Sequence, residues 1–399
     1  MRLGTALSKA AIIGIVIAIV VVVAGGAYAY YYMTQHGIQT TTTTTSAPTT
    51  ISTTVAAPST TSSASPTTST TTSLATSTTA AKSVSGTIVF YTSIPKDIAV
   101  ELIKLFNEKY PNVKVVLVRS GTGKLIAKLL AEIKAGKVEA DVIWVADPAS
   151  MNVLKEKGIL LKWLPPEAKY IPKEFRDPDG YWIAGRVIMQ VIAYNTKLIK
   201  NPPQRWSDLI NKSYVETLPS PWRNGKWLGM PSPLYSGAVA VTVYALTKKY
   251  GWSFFETLAK NGWVVFEKSN GVVLKGVLTG EYPVGITLDY MVRMYQKQGA
   301  PVAMVLPKDG LVLIPSPIAI TKTCKNLAAA KAFVEFMLSK GVQEYLAKKG
   351  IIPARVDVSP PPGTPSLSEL EKRMIKINWN EMAKELQKIK EDFEKLTMG

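Results

Sequence analysis

The chain has 399 residues, a formal net charge of +18, one histidine and one cysteine. The single cysteine, Cys324, excludes an intrachain disulfide and a cysteine metal cluster. The single histidine, His36, precedes a threonine-rich stretch, so the globular part has no histidine for a catalytic triad or a histidine-bearing zinc site. The lysines are scattered, and no nucleic-acid-binding motif accompanies them. These features argue against the common hydrolases, metalloenzymes and nucleic-acid-binding proteins.

The N-terminal region predicts a membrane anchor. Residues 10–29 carry no charge and would span about 30 Å as a helix, which matches the hydrocarbon core of a bilayer. Arg2 and Lys9 precede this run, so the positive-inside rule puts the N-terminus in the cytoplasm and the rest of the chain outside. We assign residues 1–33 to a signal or anchor and expect the chain to stay on the extracellular face of the membrane. Secretion after complete cleavage of the signal is the alternative.

A disordered stalk is predicted to follow over residues 34–85. Residues 40–81 are almost wholly Thr, Ser, Ala and Pro. Because no apolar periodicity is available there to offset the entropy cost of folding, we expect no packed structure. The density of Ser and Thr is typical of O-glycosylated stalks that lift a domain off the membrane.

The remainder predicts strands that alternate with helices. Hydrophobic periodicity and turn residues predict strands over residues 86–93, 113–118, 142–146, 182–195 (as a pair broken at Gly185 and Arg186), 282–287, 302–306 and 311–321. Helices are predicted over residues 97–110, 125–133, 238–248, 272–279, 289–298, 328–338 and 342–348. One long charged helix is predicted to close the chain near Met398, with Ser366 and Glu369 as a capping box at its start. This alternation indicates an α/β fold with largely parallel sheets.

One stretch, from Arg119 to Pro148, combines a strand end, a loop, a helix, a strand and the start of another helix. Gly136 stands where a glycine ends a helix, and Asp147 followed by Pro148 predicts a helix start. The loop SGTG at 120–123 would expose backbone N–H groups beside the positive end of a helix dipole, which suits an anion or another polar ligand. A small-residue loop of this kind more commonly does no more than cap its helix.

Nine short motifs follow one another in a fixed order. They are FYTS at 90–93, SGTG at 120–123, ADVIW at 140–144, KGIL at 157–160, AYNT at 193–196, GEYPVG at 280–285, PKDG at 307–310, AAKAF at 329–333 and SKGVQ at 339–343. In this order, over roughly residues 86–358, they resemble the extracellular solute-binding proteins of ABC importers. The resemblance is nearest to the branch that includes ferric-iron, phosphonate and sugar-phosphate binders. The predicted anchor and stalk are similar to those of archaeal, membrane-anchored members.

The resemblance implies a two-lobed, periplasmic-binding-protein-like fold of type II, in which two α/β lobes close on a ligand by a hinge. Lobe one would comprise residues 86–187 and 312–360, lobe two residues 188–311, and a C-terminal helix residues 361–399.

The same resemblance implies a ligand between the lobes, held by loops at strand ends and helix N-termini. Carried over onto this sequence, it nominates Thr92, Ser93, Ser120, Gly121, Thr122, Gly123, Ala146 and Asp147 from lobe one, and Tyr235, Ser236, Gly237, Asp289 and Tyr290 from lobe two.

Several of these residues have a structural alternative. Tyr235 and Tyr290 would also fit as core residues with a satisfied hydroxyl. Asp147 would also fit as a helix N-cap and nothing more. Arg186 is predicted to form a surface ion pair, and a position near the cleft is its alternative.

The ligand chemistry leaves two solutes open. Iron-binding members typically place two adjacent tyrosines after the Pro-Val-Gly strand, whereas this chain has Leu288, Asp289 and Tyr290 there. Hydroxyls, glycine N–H groups and helix ends favour an anionic or phosphorylated solute such as a phosphonate or a sugar phosphate. Ferric iron is the alternative, with Asp289 and Tyr290 as its ligands.

The resemblance also implies a monomeric binding protein that is not an enzyme and has no cofactor. Its partners would be a small-molecule solute, a membrane permease and a cytoplasmic ATPase, without nucleic acid. Two other classes of protein fit the sequence less well. An anchored surface enzyme would need a nucleophile–base pair that is hard to assemble without histidine, and a surface-layer protein would more often show β-rich repeats.

Overall fold

The computed structural model describes residues 84–398. Its strands are β1 (Gly86–Thr92), β2 (Val113–Arg119), β3 (Val142–Trp144), β4 (Ile183–Asn195), β5 (Leu228–Pro231), β6 (Val264–Glu267), β7 (Val284–Leu288), β8 (Val302–Val305) and β9 (Val312–Ile320). The predicted anchor and stalk, over 1–33 and 34–85, lie outside the described residues except for the last two residues of the stalk. Among residues 84–398, no helix combines the length and the apolar character needed to cross a membrane.

Twelve helices accompany these strands in the described part of the chain. They are α1 (Lys96–Lys109), α2 (Thr122–Lys134), α3 (Pro148–Glu156), α4 (Lys212–Val215), α5 (Gly237–Tyr250), α6 (Ser253–Lys260), α7 (Asn270–Thr279), α8 (Asp289–Lys297), α9 (Leu327–Leu338), α10 (Lys340–Lys348), α11 (Leu367–Lys372) and α12 (Trp379–Met398). Short 3-10 turns cover Pro166–Tyr170, Lys173–Phe175, Trp206–Ile210 and Trp222–Asn224.

The strands form one mixed sheet with the order β2-β1-β3-β9-β4-β7-β5-β6, and β8 pairs with β4. At its centre, β4 and β9 run antiparallel, with Ile183 opposite Ile318 and Gln190 opposite Val312. Every residue of β9 is buried, as expected of a strand covered on both faces. We call the part with β1–β3 lobe one and the part with β5–β8 lobe two. The fold is therefore a two-lobed α/β fold whose lobes share the β4–β9 pair.

The sheet is less parallel than the sequence predicts. Of its eight strand pairings in the described residues, the four that involve β4 or β9 are antiparallel. The reason is that β4 and β9, the two long strands that cross between the lobes, run in opposite directions. The parallel pairs that the βα units predict are confined to β1–β3 and to β5–β7.

Residues 182–195 do not form the predicted strand pair. The structure has one continuous strand, β4, with a register shift between Ala184 and Arg186. The glycine between them packs against Trp144, because a β-carbon at Gly185 would lie 2.5 Å from the indole ring. Gly185 therefore marks a bulge and a close packing contact, and not a turn.

The predicted closing helix is two helices, α11 and α12. The predicted capping box of Ser366 and Glu369 is confirmed at the start of α11. Beyond α11 the backbone pairs with Leu311, whose N–H donates to the Arg373 carbonyl at 2.9 Å and whose carbonyl accepts from the Ile375 N–H at 2.9 Å. This pairing takes the connecting residues out of helical geometry.

Helix α12 packs against helices of both lobes. It lies on α3, which follows β3, and on α5 and α6, which follow β5. Asn152 of α3 donates to Asn380 at 2.8 Å, and Lys248 of α5 pairs with Glu381 at 2.6 Å. The apolar face of α12, which includes Phe393, is buried in the core.

Candidate functional site

A cleft of about 740 Å³ lies between the two lobes. Its walls come from the carboxyl ends of strands, from the helices that follow them and from the central strand β4. The lining residues are Ser93, Pro95, Arg119, Ser120, Gly121, Thr122, Lys124, Ala146, Arg186, Ile188, Tyr235, Ser236, Ala238, Lys268, Ser269, Asn270, Gly271, Leu288, Tyr290 and Met291. A crevice at the strand ends of an α/β sheet is where such folds bind ligands.

Four helices begin at this cleft. The N-cap residues of α2, α5, α7 and α8 are Gly121, Ser236, Ser269 and Leu288, and all four line the cleft. The first N–H groups of a helix have no partner inside it, and the helix dipole adds partial positive charge at this end. The convergence of four helix N-termini therefore gives the cleft a positive field before any side chain is counted.

Arg186 supplies a buried cation to the cleft. Its side chain is 1% exposed, and its Nη1 atom has no hydrogen-bond partner within residues 84–398. Its Nε atom lies 3.5 Å from Ser316 Oγ. Burial lowers the pKa of the Arg186 guanidinium, yet the group stays a cation at neutral pH because arginine is not deprotonated in proteins. The predicted surface ion pair is wrong, because the bulge at Gly185 sets Arg186 in the interior between the lobes.

The formal charge of the cleft is strongly positive. Three further cations, Arg119, Lys124 and Lys268, line it with Arg186. Arg119 is fixed by its Nε–H, which donates to the Ile94 carbonyl at 3.0 Å. Among the described residues that line the cleft, none is Asp, Glu or His. Such a site attracts an anion, because no acidic residue among the described lining residues neutralises its positive charge.

Two tyrosines line the cleft in different settings. Tyr290 is buried, and its ring centre lies 5.2 Å from the Arg186 guanidinium carbon, within the range of a cation–π contact. Burial raises the pKa of the Tyr290 hydroxyl, so the neutral phenol is favoured. Tyr235 is 43% exposed. Tyr290 thus packs against the guanidinium of Arg186, whereas the ring of Tyr235 is accessible to a ligand.

Of the thirteen nominated residues, eight line the cleft: Ser93, Ser120, Gly121, Thr122, Ala146, Tyr235, Ser236 and Tyr290. The Ser93 Oγ atom is buried and has no hydrogen-bond partner among the described residues. Thr122 Oγ1 accepts from the Ala146 N–H at 3.2 Å and joins the two loops of lobe one.

The other five nominated residues, Thr92, Gly123, Asp147, Gly237 and Asp289, do not line the cleft. Thr92 is buried and donates to the Trp144 carbonyl at 2.9 Å. Asp147 caps α3 by accepting from the Ser150 N–H at 2.7 Å and from the Ser150 hydroxyl at 3.0 Å. Burial raises the pKa of the Asp147 carboxyl. Asp147 is therefore the helix cap that its sequence setting allowed as an alternative.

Asp289 forms a buried ion pair with Arg293 one turn further along α8. Its other oxygen accepts from the Met189 N–H at 3.0 Å, which ties α8 to β4. The carboxylate is 0% exposed and is occupied by these two partners. Both of its oxygens are therefore engaged within the protein.

The glycines of both lobes allow a close approach across the cleft. A β-carbon at Gly121 would lie 2.9 Å from the Tyr235 carbonyl oxygen, and one at Gly123 would lie 2.7 Å from the Leu234 carbonyl oxygen. Real β-carbons essentially never make contacts this short. The loop at 120–123 of lobe one therefore packs directly on the backbone of lobe two at 234–235. Gly123 and Gly237 contribute to this contact and not to the cleft wall.

The segment Lys268–Ser269–Asn270–Gly271 also lines the cleft, although it is not among the residues predicted from the sequence. It carries the signal that identified the loop at 120–123, namely small and polar residues directly before a helix. Asn270 accepts from Gln190 Nε2 at 3.2 Å and donates to Ser236 Oγ at 3.2 Å. This chain of hydrogen bonds connects β4 with the N-termini of α5 and α7.

The described residues contain no group of three or more His, Cys, Asp or Glu that could hold a metal ion. Tyr235 and Tyr290 are the oxygen donors in the cleft that suit ferric iron. A protein site for a hard trivalent cation would be expected to add carboxylates, and the cleft instead adds four cations.

Known structures and sequences resemble this chain over most of its length. The periplasmic binding protein AfuA of Actinobacillus pleuropneumoniae, solved with exogenous fructose-6-phosphate bound, is 26% identical, with a TM-score of 0.69 over 79% of this chain and 99% of that protein. Iron-bound HitA of Pseudomonas aeruginosa is 22% identical, with a TM-score of 0.66 over 77% and 98% of the two chains, and at this identity it shows the fold alone. A probable ABC transporter periplasmic-binding protein of Sinorhizobium fredii is 23% identical over 281 residues, 68% of this chain and 76% of that protein. Residues 92–344 match the family of bacterial extracellular solute-binding proteins, and the chain belongs to that family.

Proposed function

We propose that this protein is the solute-binding subunit of an ABC importer and that it captures a small phosphorylated or otherwise anionic solute between its lobes. The permease would receive the solute when the lobes open. The observation that carries the choice of solute is the guanidinium of Arg186, which is buried in the cleft with Nη1 unpaired among the described residues. A buried cation without a counter-ion is costly, and an anionic ligand would supply the missing partner.

The rest of the cleft supports the same choice. Arg119, Lys124 and Lys268 add positive charge, and four helix N-termini add N–H donors. The likeness to AfuA, solved with fructose-6-phosphate, agrees with a phosphorylated organic solute. Tyr235 and the hydroxyls of the cleft would then contact the organic part.

Ferric iron is less well supported as the solute. Asp289, one of its two proposed ligands, is paired with Arg293 and does not line the cleft. Burial raises the pKa of Tyr290, the other proposed ligand, which opposes the phenolate that would bind iron. The four cations that line the cleft would repel a trivalent metal ion.

We also propose the arrangement of the whole chain. Lobe one would comprise residues 86–187 and 312–360, and lobe two residues 188–311. The anchor and stalk would hold a monomeric, extracellular binding protein near the permease and its ATPase. The cleft lacks a histidine or carboxylate base among the described residues that line it, which supports binding without catalysis.

The test is a thermal-shift and calorimetric screen of the full-length chain. The panel contains fructose 6-phosphate, glycerol 3-phosphate, 2-aminoethylphosphonate, inorganic phosphate and ferric citrate. A ligand at about 100 times its Kd stabilises the bound protein by about 2.7 kcal/mol, which corresponds to a rise in Tm on the order of 5 °C. We expect this rise with at least one phosphate ester or phosphonate. Stabilisation by ferric citrate alone would overturn the proposal.

A further inference from the structure

We infer that the cleft selects the fully deprotonated, dianionic form of a phosphate ester over its monoanion. This inference rests on the proposed function and specifies the charge state of the solute. It follows from the hydrogen bonds of the cleft hydroxyls and from the lack of Asp and Glu among the described residues that line the cleft.

Three hydroxyl groups of the cleft, those of Thr122, Ser236 and Ser269, already accept a hydrogen bond from the protein. Thr122 Oγ1 accepts from the Ala146 N–H at 3.2 Å, and Ser269 Oγ accepts from the Val272 N–H at 3.2 Å. Ser236 Oγ accepts from Asn270 Nδ2 at 3.2 Å. A hydroxyl group also has one hydrogen of its own, so each of these three groups can still donate to a ligand. Together with the arginines, the lysines and the helix N-termini, they present donors to a ligand.

Two carboxylates that lie next to lining residues in the sequence, Asp147 and Asp289, are bound to partners within the protein. Asp147 accepts from Ser150, and Asp289 accepts from Met189 and Arg293. Neither residue lines the cleft. A phosphate monoanion carries an O–H group that needs an acceptor, and the described residues of the lining offer no carboxylate or imidazole for it. The dianion has three acceptor oxygens and no O–H, which matches the donors of the cleft.

Charge acts in the same direction. Four cations line the cleft, and Arg186 among them is buried, where electrostatic attraction is screened less than in water. A second negative charge on the ligand therefore gains attraction without meeting an acidic side chain in the lining.

We expect the pH dependence of binding to arise from titration of the solute and not from titration of the protein. The charged and titratable groups around the cleft are Arg119, Lys124, Arg186, Tyr235, Lys268 and Tyr290 in the lining, with Asp147, Asp289, Arg293 and Lys390 behind it. The lining has no His, Asp or Glu among the described residues, and these are the residue types that ordinarily titrate near or below neutral pH. A phosphate ester loses its second proton near pH 6, at a pKa of about 6.

The experiment is calorimetry of the full-length chain with fructose 6-phosphate and fructose 6-sulfate at pH 7.5 and pH 5.0. The sulfate ester is a matched control because it has three acceptor oxygens and no titration in this range. The dianion falls from nearly all of the phosphate ester to about a tenth of it over this interval, so we expect its apparent Kd to rise about tenfold. The Kd of the sulfate ester should change less than about twofold over the same interval.

Two results would overturn the inference while the proposed function stands. One is a Kd of fructose 6-phosphate that stays constant between the two pH values, because the monoanion would then bind equally well. The other is a parallel rise for both esters, because a protein group such as Asp147 would then control binding. Failure of every phosphate ester and phosphonate of the panel to bind at pH 7.5 contradicts the proposed function itself, and the inference falls with it.

A variant gives a second readout. Lys124 is exposed on the first turn of α2, so Lys124→Met should leave the fold intact. We expect this variant to reduce the ratio of phosphate-ester to sulfate-ester affinity at pH 7.5, because it removes attraction that the dianion uses more than the monoanion. An unchanged ratio in both Lys124→Met and Lys268→Met would argue against selection by charge.

Discussion

Gly237 lies directly against Asp147, so closely that a β-carbon at Gly237 would overlap a carboxylate oxygen of Asp147. Gly237 is the first residue of α5 in lobe two, and Asp147 caps α3 in lobe one. The two lobes are therefore in contact at a point where lobe two has no room for a side chain. Gly121 and Gly123 form a similar contact with the Tyr235 and Leu234 carbonyls.

The Gly237→Ala substitution should hold the lobes apart and weaken solute capture. The overlap exists only when α3 and α5 are close, so the open protein should tolerate the methyl group. We expect the Kd of the best phosphorylated solute to rise about tenfold, which is about 1.4 kcal/mol of binding free energy, with little change in the Tm of the free protein. Gly341→Ala is the matched control, because a β-carbon at Gly341 meets nothing within 4 Å. Equal affinities for both variants and the unchanged protein would show that this contact has no part in closure.

The Arg186→Met substitution should separate binding from stability. It removes the unpaired buried cation, so we expect a loss of about 2–5 kcal/mol of binding free energy for the anionic solute. The Tm of the free protein should stay the same or rise, since an uncompensated buried charge is removed. Isothermal titration and differential scanning calorimetry measure the two quantities.

Arg355 provides the control for this experiment. It is equally buried, but it donates to both carboxylate oxygens of Asp357 at 2.8 Å and to the Leu338 carbonyl at 3.1 Å. Arg355→Met should therefore lower the Tm and leave solute affinity unchanged. If Arg186→Met instead lowers the Tm as Arg355→Met does and keeps its affinity, Arg186 has a structural role only.

The Asp289→Asn substitution should damage the fold more than the binding of solute. It leaves Arg293 buried without its counter-charge, for which we expect a loss of about 3–5 kcal/mol in the free energy of unfolding. Urea denaturation measures this loss. In the double variant Asp289→Leu with Arg293→Met, much of the stability should return, because an apolar pair can replace a buried ion pair. A large loss of solute affinity in the double variant, with stability restored, would show that Asp289 or Arg293 takes part in solute binding.

Ferric iron should not form a coloured complex with the purified protein. The cleft offers two phenols, and the pKa of Tyr290 is raised by burial. We expect ferric citrate to produce neither a visible absorption band nor a rise in Tm. A red-brown protein whose colour is lost in Tyr290→Phe would identify iron as the solute.

The local structure could be predicted well where a few neighbouring residues determine it. The cap of α3 at Asp147, the glycine Gly136 after α2 and the capping box at Ser366 are confirmed. Each depends on hydrogen bonds or backbone angles within about one helical turn. The break between α11 and α12 could not be predicted, because it depends on pairing with Leu311, far away in the sequence.

The site was harder to predict for the same reason. Arg186 enters the cleft through the pairing of β4 with β9 and through the contact of Gly185 with Trp144, and none of these is visible in the local sequence. Asp289 stands at the position that the family resemblance indicates, but Arg293 one turn later takes its carboxylate. The spacing of four residues between them was a usable signal for an ion pair on one helix face.

Helix α12 contacts both lobes and connects them. Two consecutive residues of this helix contact different lobes: Asn380 accepts from Asn152 of lobe one, and Glu381 pairs with Lys248 of lobe two. We expect a change in the angle between α3 and α5 to disturb these contacts, so opening of the cleft should involve a movement of α12. The energy of opening is thus set in part by the last 20 helical residues of the chain, which lie outside the lining of the cleft. Sequence change in this helix can therefore retune how tightly a solute is held and how readily it is released, while the chemistry that recognises the solute stays the same.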